Sequence, residues 1–208
     1  FILAFSAGFI DSVVGGGGLI QLPALLILFA GFPIPTLMGT NKFAGFSGTA
    51  LATSRYLKQT NVPWKSIWPA ILSALIFSFL GARVVSYIHK EDIKIIVLCL
   101  LIVVAIYTFV KKEFGLHHAP KLNALQTAVY SFLTGALLGF YDGFFGPGTG
   151  SFLIVVFISL FGFNFLMASA SAKLVNCATN ISALTYFIIT DQINYPLAIS
   201  LAEFNMAG

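Results

Sequence analysis

Long apolar runs and short polar breaks alternate along the chain. Apolar runs occupy Phe1–Val14, Leu19–Ala30, Thr36–Leu57, Ser66–Tyr87, Ile95–Val110, Ala124–Tyr141, Ser151–Phe161 and Leu166–Thr190, and a further run opens at Leu197. Several approach the roughly 20 residues that a membrane-spanning helix needs. Two do not. Leu19–Ala30 and Ser151–Phe161 have 12 and 11 residues, under about 20 Å of helix at about 1.5 Å per residue. Each follows a glycine-rich break, "GGGG" at Gly15–Gly18 and "GPGTG" at Gly146–Gly150. The pattern predicts an all-α integral membrane protein, a polytopic helical bundle with short, glycine-broken helices.

Composition supports that class. Of 208 residues 58% are hydrophobic and only 9% charged, with mean hydropathy +0.95, whereas soluble domains carry about a quarter charged residues. The 22 phenylalanines suit lipid-facing surfaces. The net charge of +4 reads as topology rather than as a nucleic-acid patch, because the basic residues cluster in loops. Cys99 and Cys177 lie in apolar runs without metal-ligand spacing, so neither a metal nor a disulfide is expected. No cofactor motif is present. The chain opens at Phe1 with no signal-peptide pattern, and further N-terminal sequence is expected before it.

A shift of 131 residues lays "GFIDSVVGGGG" on "GFYDGFFGPGT". Over Gly8–Ala52 and its partner segment, 11 of 45 positions are identical without a gap, including Asp11 with Asp142 and Lys42 with Lys173. Chance gives about three or four in so biased a composition. The same shift puts Trp64 on Tyr195. The chain therefore reads as membrane repeat 1 over 1–110, a linker over 111–123 and membrane repeat 2 over 124–208. The partner of Val110 would fall about 33 residues beyond Gly208, so the second repeat is expected to lack a helix tail and one more helix.

Loop charges suggest that the repeats are inverted. Arg55, Lys58 and Lys65 flank one loop, and Lys111, Lys112 and Lys121 lie in the linker. Two apolar runs separate them, so both are assigned to the cytoplasmic side. The 190–196 loop, repeat mate of the 55–65 loop, has no Lys or Arg and is assigned outside. Equivalent loops on opposite sides require an odd number of crossings per repeat. The short pair is then either two tilted crossings or a re-entrant hairpin.

The breaks are the first candidate chemistry. Non-helical backbone at membrane depth is tolerated only where protein or a water-filled cavity surrounds it. Each break precedes a short helix, whose N-terminus offers unpaired N–H groups and partial positive charge. Paired broken helices form substrate sites in transporters. Gly15, Gly16, Gly17 and Gly18, with Gly146, Gly148, Thr149, Gly150 and Ser151, are therefore candidate anion-binding residues. Close helix packing is the plainer use of the glycines.

Lys42 and Lys173 each lie six or seven residues into a long apolar run. They either snorkel to the interface or face a polar interior. Asn41 adjoins Lys42. Ser169, Lys173, Asn176 and Asn180 share one helix face; the matching first-half face is Met38, Lys42, Gly45 and Thr49, so a site would be lopsided toward the second half. Asp11 and Asp142 precede the breaks, at helix C-termini where a carboxylate is disfavoured without a partner. Asp–Lys pairing is expected, within a half or across the pseudo-twofold. Such pairs are either structural or elements that couple transport to a proton or sodium ion.

Enzyme chemistry has little support. "GGGGLI" lacks the Lys-Ser/Thr of a phosphate loop. "GFSG" at Gly45–Gly48 mimics intramembrane serine proteases, but that chemistry needs a histidine base near Ser47, and His89, His117 and His118 all fall in loops.

"GFIDSVVGGGGLIQLPALL" with "GTNKFAGFSGTA", and "GFYDGFFGPGTGSF" with "SAKLVNCATN", resemble the TauE/SafE/YfcA family of bacterial membrane permeases, the sulfite exporter family, and most closely its YfcA-like branch. The likeness covers essentially the whole chain. It implies a multi-pass bacterial inner-membrane transporter of two repeats that moves sulfite, sulfonates or related organosulfur anions. The motif positions are Asp11, Gly15–Gly18, Asn41 and Lys42, then Asp142, Gly146–Gly150, Lys173 and Asn176. The partners implied are a small anion and the lipid bilayer. A membrane scaffold or channel-like protein without a transport cycle is the other class considered.

Overall fold

The computed structural model describes residues 2–88 and 122–208, with isolated positions 99 and 102 between them. Among the described residues all regular structure is helical. The helices are α1 (Ile2–Val14), α2 (Gly18–Leu28), α3 (Ile34–Gln59), α4 (Trp64–Tyr87), α5 (Ala124–Phe144), α6 (Thr149–Ser159), α7 (Phe165–Ile189) and α8 (Tyr195–Ala207). The apolar run Ile95–Val110, linker residues 111–121 and the three histidines lie outside the described residues, apart from the isolated positions.

Helix starts follow local chemistry. Asn123 and Asn164 cap α5 and α7 by accepting from the backbone N–H of Gln126 and Met167, and Asn194 caps α8 through Leu197 N–H. Proline at the first turn begins α3 and α8, where its missing N–H costs nothing. The 131-residue shift carries the first residues of α2, α3 and α4 onto those of α6, α7 and α8. The breaks act as expected, with one adjustment. Gly18 and Thr149 are already helical, so the short helices start one and two residues earlier than the apolar runs.

α4 shows which surface meets lipid. Trp68, Leu72, Ile76, Leu80 and Val84, at four-residue spacing, are exposed, while Ile67, Ala70, Ala74, Ala82 and Val85 are buried. At 24 residues and mean hydropathy 1.7 it is about 36 Å long, enough to cross a hydrocarbon core of about 30 Å. Trp64 and Tyr87 at its ends are exposed, as in an interfacial aromatic belt. α7, with 25 residues, is also long and apolar enough to span, but is largely buried within the protein. α2 and α6, 11 residues each, are too short to cross alone.

Packing between the halves is reciprocal. α4 lies on α5 and α7; α8 lies on α1 and α3; α3 packs along α7. The α4–α5 seam is built from small residues four apart. Gly135, Gly139 and Gly143 face Ala70, Ala74 and Ser78 so closely that an added Cβ would meet their backbone. The shift carries the Gly139–Ala74 approach onto that of Gly8 and Asn205. Gln192, just past α7, abuts Gly39 near the start of α3, and Asn194 N–H donates to Thr40 Oγ at 3.0 Å. The end of α7 thus meets the beginning of α3. Val62, after α3, packs in the cluster holding Phe161 and Phe163, just before α7. The 60–63 and 190–194 loops therefore occupy opposite ends of the α3–α7 pair.

Candidate functional site: two glycine breaks around one polar cavity

The two breaks touch. Ser151 N–H donates to the Gly15 carbonyl at 3.0 Å. Gly15 has φ +74°, and a Cβ there would come within 2.8 Å of the Gly150 carbonyl carbon. Only glycine combines that left-handed backbone with that approach. Gly148, the residue before α6, is also left-handed at φ 84°. Neither α2 nor α6 has a side-chain cap at its N-terminus.

The breaks border one cavity of about 50 Å³, room for roughly three water-sized groups. Of the residues singled out in the sequence, Asp11, Gly15, Gly17, Gly18, Asn41 and Lys42 line it from the first half. Asp142, Gly146, Gly148, Gly150 and Asn176 line it from the second. Gly16, Thr149, Ser151 and Lys173 are not in the lining. The Thr149 hydroxyl donates to Gly146 O at 2.7 Å and so closes the turn.

Both lysines turn inward. Lys42 is 5% exposed and Lys173 2%, so neither snorkels to the interface. Each ammonium crosses to the carboxylate of the other half. Lys42 Nζ donates to Asp142 Oδ2 at 2.5 Å and to Asn180 Oδ1 at 3.1 Å. Lys173 Nζ donates to Asp11 Oδ2 at 3.0 Å and to the Asp11 carbonyl. The 131-residue shift converts one pair into the other. Thr49 Oγ adds a bond to Asp11 Oδ2 at 3.2 Å, and its repeat mate Asn180 serves Lys42. Of the two pairings open in the sequence, the cross-half one is realised. Thr53 Oγ ties the halves again by donating to the Lys173 carbonyl at 3.3 Å.

Gly45 and Thr49 line the cavity opposite Asn176 and Asn180, so the first half contributes more than its sparse polarity indicates. Sequence reasoning missed Gln21 and Asn205. Both line the cavity and bond to each other, Asn205 Nδ2 donating to Gln21 Oε1 at 2.8 Å. Their repeat mates are Phe152 and Ala74, so the internal repeat gives no signal for either. The only cue was a glutamine in the first turn of a short apolar helix. Ser47 donates to the Phe43 carbonyl at 3.1 Å, a helix-internal bond.

Apolar outward surfaces and a polar cavity at two broken helices are the features expected of an integral membrane transporter. The chain is a member of the Sulfite exporter TauE/SafE family, which matches it over residues 1–208. It is 39% identical over 206 residues to "Probable membrane transporter protein ORF9" of Sinorhizobium sp, covering 98% of this chain and 77% of that protein. It is 32% identical to a "Probable membrane transporter protein" of Haemophilus influenzae, covering 100% and 80%. Its identity to "Probable membrane transporter protein YfcA" of Escherichia coli K12 is 34%, over 93% and 70%. No solved structure matches the chain. The protein is thus a bacterial inner-membrane protein of a transporter family.

Proposed function

We propose that this protein is a secondary transporter for a small anion of the sulfite, sulfonate or related organosulfur class. It works by alternating access between two inverted repeats, 1–110 and 124–208, joined by a cytoplasmic linker over 111–123. The observation that carries the reading is the single cavity bordered by both glycine breaks and braced by two ion pairs that exchange under the repeat. Inverted repeats with broken helices at their interface are the architecture in which such sites occur. The opposite placement of the 60–63 and 190–194 loops supports the inversion. Sulfur chemistry comes from the description of the family.

Gly15, Gly17 and Gly18 with Gly146, Gly148 and Gly150, and with Asn41 and Asn176, form the binding surface. In this conformation both lysine charges are already met by carboxylates, so the lysines support the site rather than supply free positive charge. Rocking one half against the other must break or shear the Asp11–Lys173 and Lys42–Asp142 pairs. These are the groups at which a coupling proton or sodium ion would act.

Ligand-dependent stability tests this reading. The purified protein is heated with sulfite, methanesulfonate, sulfate or chloride. A substrate at about 100 times its Kd stabilises the folded state by roughly 2.7 kcal/mol, raising the unfolding temperature. A scaffold, the alternative favoured by the complete mutual pairing of the charges, shows no dependence on any of the four. In liposomes, the double variant Lys42→Gln with Asp142→Asn preserves volume and removes the charges. Parental transport by that variant would remove the pair from the mechanism.

A further inference from the structure

Because both lysines are committed to aspartates, an anion in the cavity needs another donor set. The cavity's polar groups are unequal. At the α6 end, Ser151 N–H is already given to the Gly15 carbonyl. At the α2 end the N–H groups of Leu19, Ile20 and Gln21 are likewise given, to the Gly16 and Gly17 carbonyls, and the side chain of Gln21 stands in the first turn of the 11-residue helix. It is 3% exposed and lines the cavity. Its Oε1 accepts from Asn205 Nδ2, which fixes the amide so that Nε2 is the group left over. That Nε2 is buried and has no hydrogen-bond partner.

A buried amide donor without a partner costs free energy unless a ligand or water meets it. Side chains in a helix lean toward its N-terminus, so the amide lies over the turn where the helix carries partial positive charge. Both features ask for an oxygen acceptor with negative charge. The repeat mates of Gln21 and Asn205 are Phe152 and Ala74, so this donor exists on one side only.

We propose that Gln21 Nε2, lying over the positive end of α2, forms the oxyanion-recognising pole of the cavity, with Gln21 as a specificity-determining residue held in register by Asn205. This rests on the anion-transport reading above and adds a place and a donor to it. The pole takes an oxyanion, such as sulfite or a sulfonate head, by its oxygens.

The test is a titration of sulfite and methanesulfonate against the unfolding temperature of the intact protein at pH 8. Two variants are compared, Gln21→Glu and Gln21→Met. Glutamate keeps the oxygen that accepts from Asn205 and replaces the donor with an acceptor; methionine keeps the length and removes both. A hydrogen bond to a charged ligand sets the expected loss, on the order of 10- to 100-fold in the midpoint for Gln21→Met and more for Gln21→Glu. If Gln21→Glu does not fold, Gln21→Met decides. A folded variant with the parental midpoint overturns the role of Gln21 and leaves anion binding standing. A parent protein that neither anion stabilises overturns the anion reading itself, and this proposal with it.

Discussion

Asp142 is 2% exposed and Lys42 5%, so each charge depends on the other. Removing one partner of such a pair costs about 3–5 kcal/mol, because the remaining charge is buried alone. Replacing both with apolar residues of similar volume is often near neutral. Lys42→Met alone should therefore lower stability in detergent far more than Lys42→Met with Asp142→Leu. A double-mutant cycle by chemical unfolding measures the coupling, and equal losses in the single and double variants would contradict the pairing. Gly15→Ala is expected to be destabilising by about 1–3 kcal/mol, since its left-handed φ and the Gly150 backbone both oppose a Cβ. Gly31→Ala, with nothing near its added Cβ, is the control in the same thermal assay. The Asp and Lys positions were legible in the sequence because rare residues in an apolar background matched at a fixed shift. Gln21 was not, because nothing in the other half repeats it.

At the level of elements, each apolar run among the described residues forms a helix, and ends are displaced where local chemistry governs them. The α3 run was read as Thr36–Leu57, and the helix extends to Ile34–Gln59, because Pro35 is accommodated in the first turn. α5 runs three residues past its predicted end, to Phe144, since the helix continues until the Gly146 turn. The α4–α5 seam carries its own prediction. Gly139 and Gly143 sit against Ala74 and Ser78 with no room for a Cβ, and small residues are what allow two membrane helices to approach this closely. Gly139→Leu should separate the helices and yield protein that elutes as aggregate in size-exclusion chromatography. Leu137→Phe on the exposed face of α5 should elute as the parent does. A monodisperse Gly139→Leu variant would show that the seam does not hold the two helices together.

For the whole molecule, the opposed loops make the inversion testable. In a background without Cys99 and Cys177, Thr60→Cys and Asp191→Cys should react with a membrane-impermeant thiol reagent from opposite sides, Asp191→Cys in intact cells and Thr60→Cys only in inside-out vesicles. Labelling of both from one side would exclude inverted repeats. Composition and apolar periodicity by themselves determined that the chain is a membrane helical bundle, because transfer of apolar side chains into lipid is a property of each segment alone. The 131-residue repeat likewise determined which aspartates, lysines and glycines correspond. Only the tertiary structure decided that each lysine answers the aspartate of the other half, that Gly15 and Gly150 touch, and that Gln21 and Asn205 join the cavity. Those facts depend on contacts between residues up to 184 positions apart. A linear pattern carries a residue's preference for burial, but the identity of its distant partner is fixed only when the helices pack.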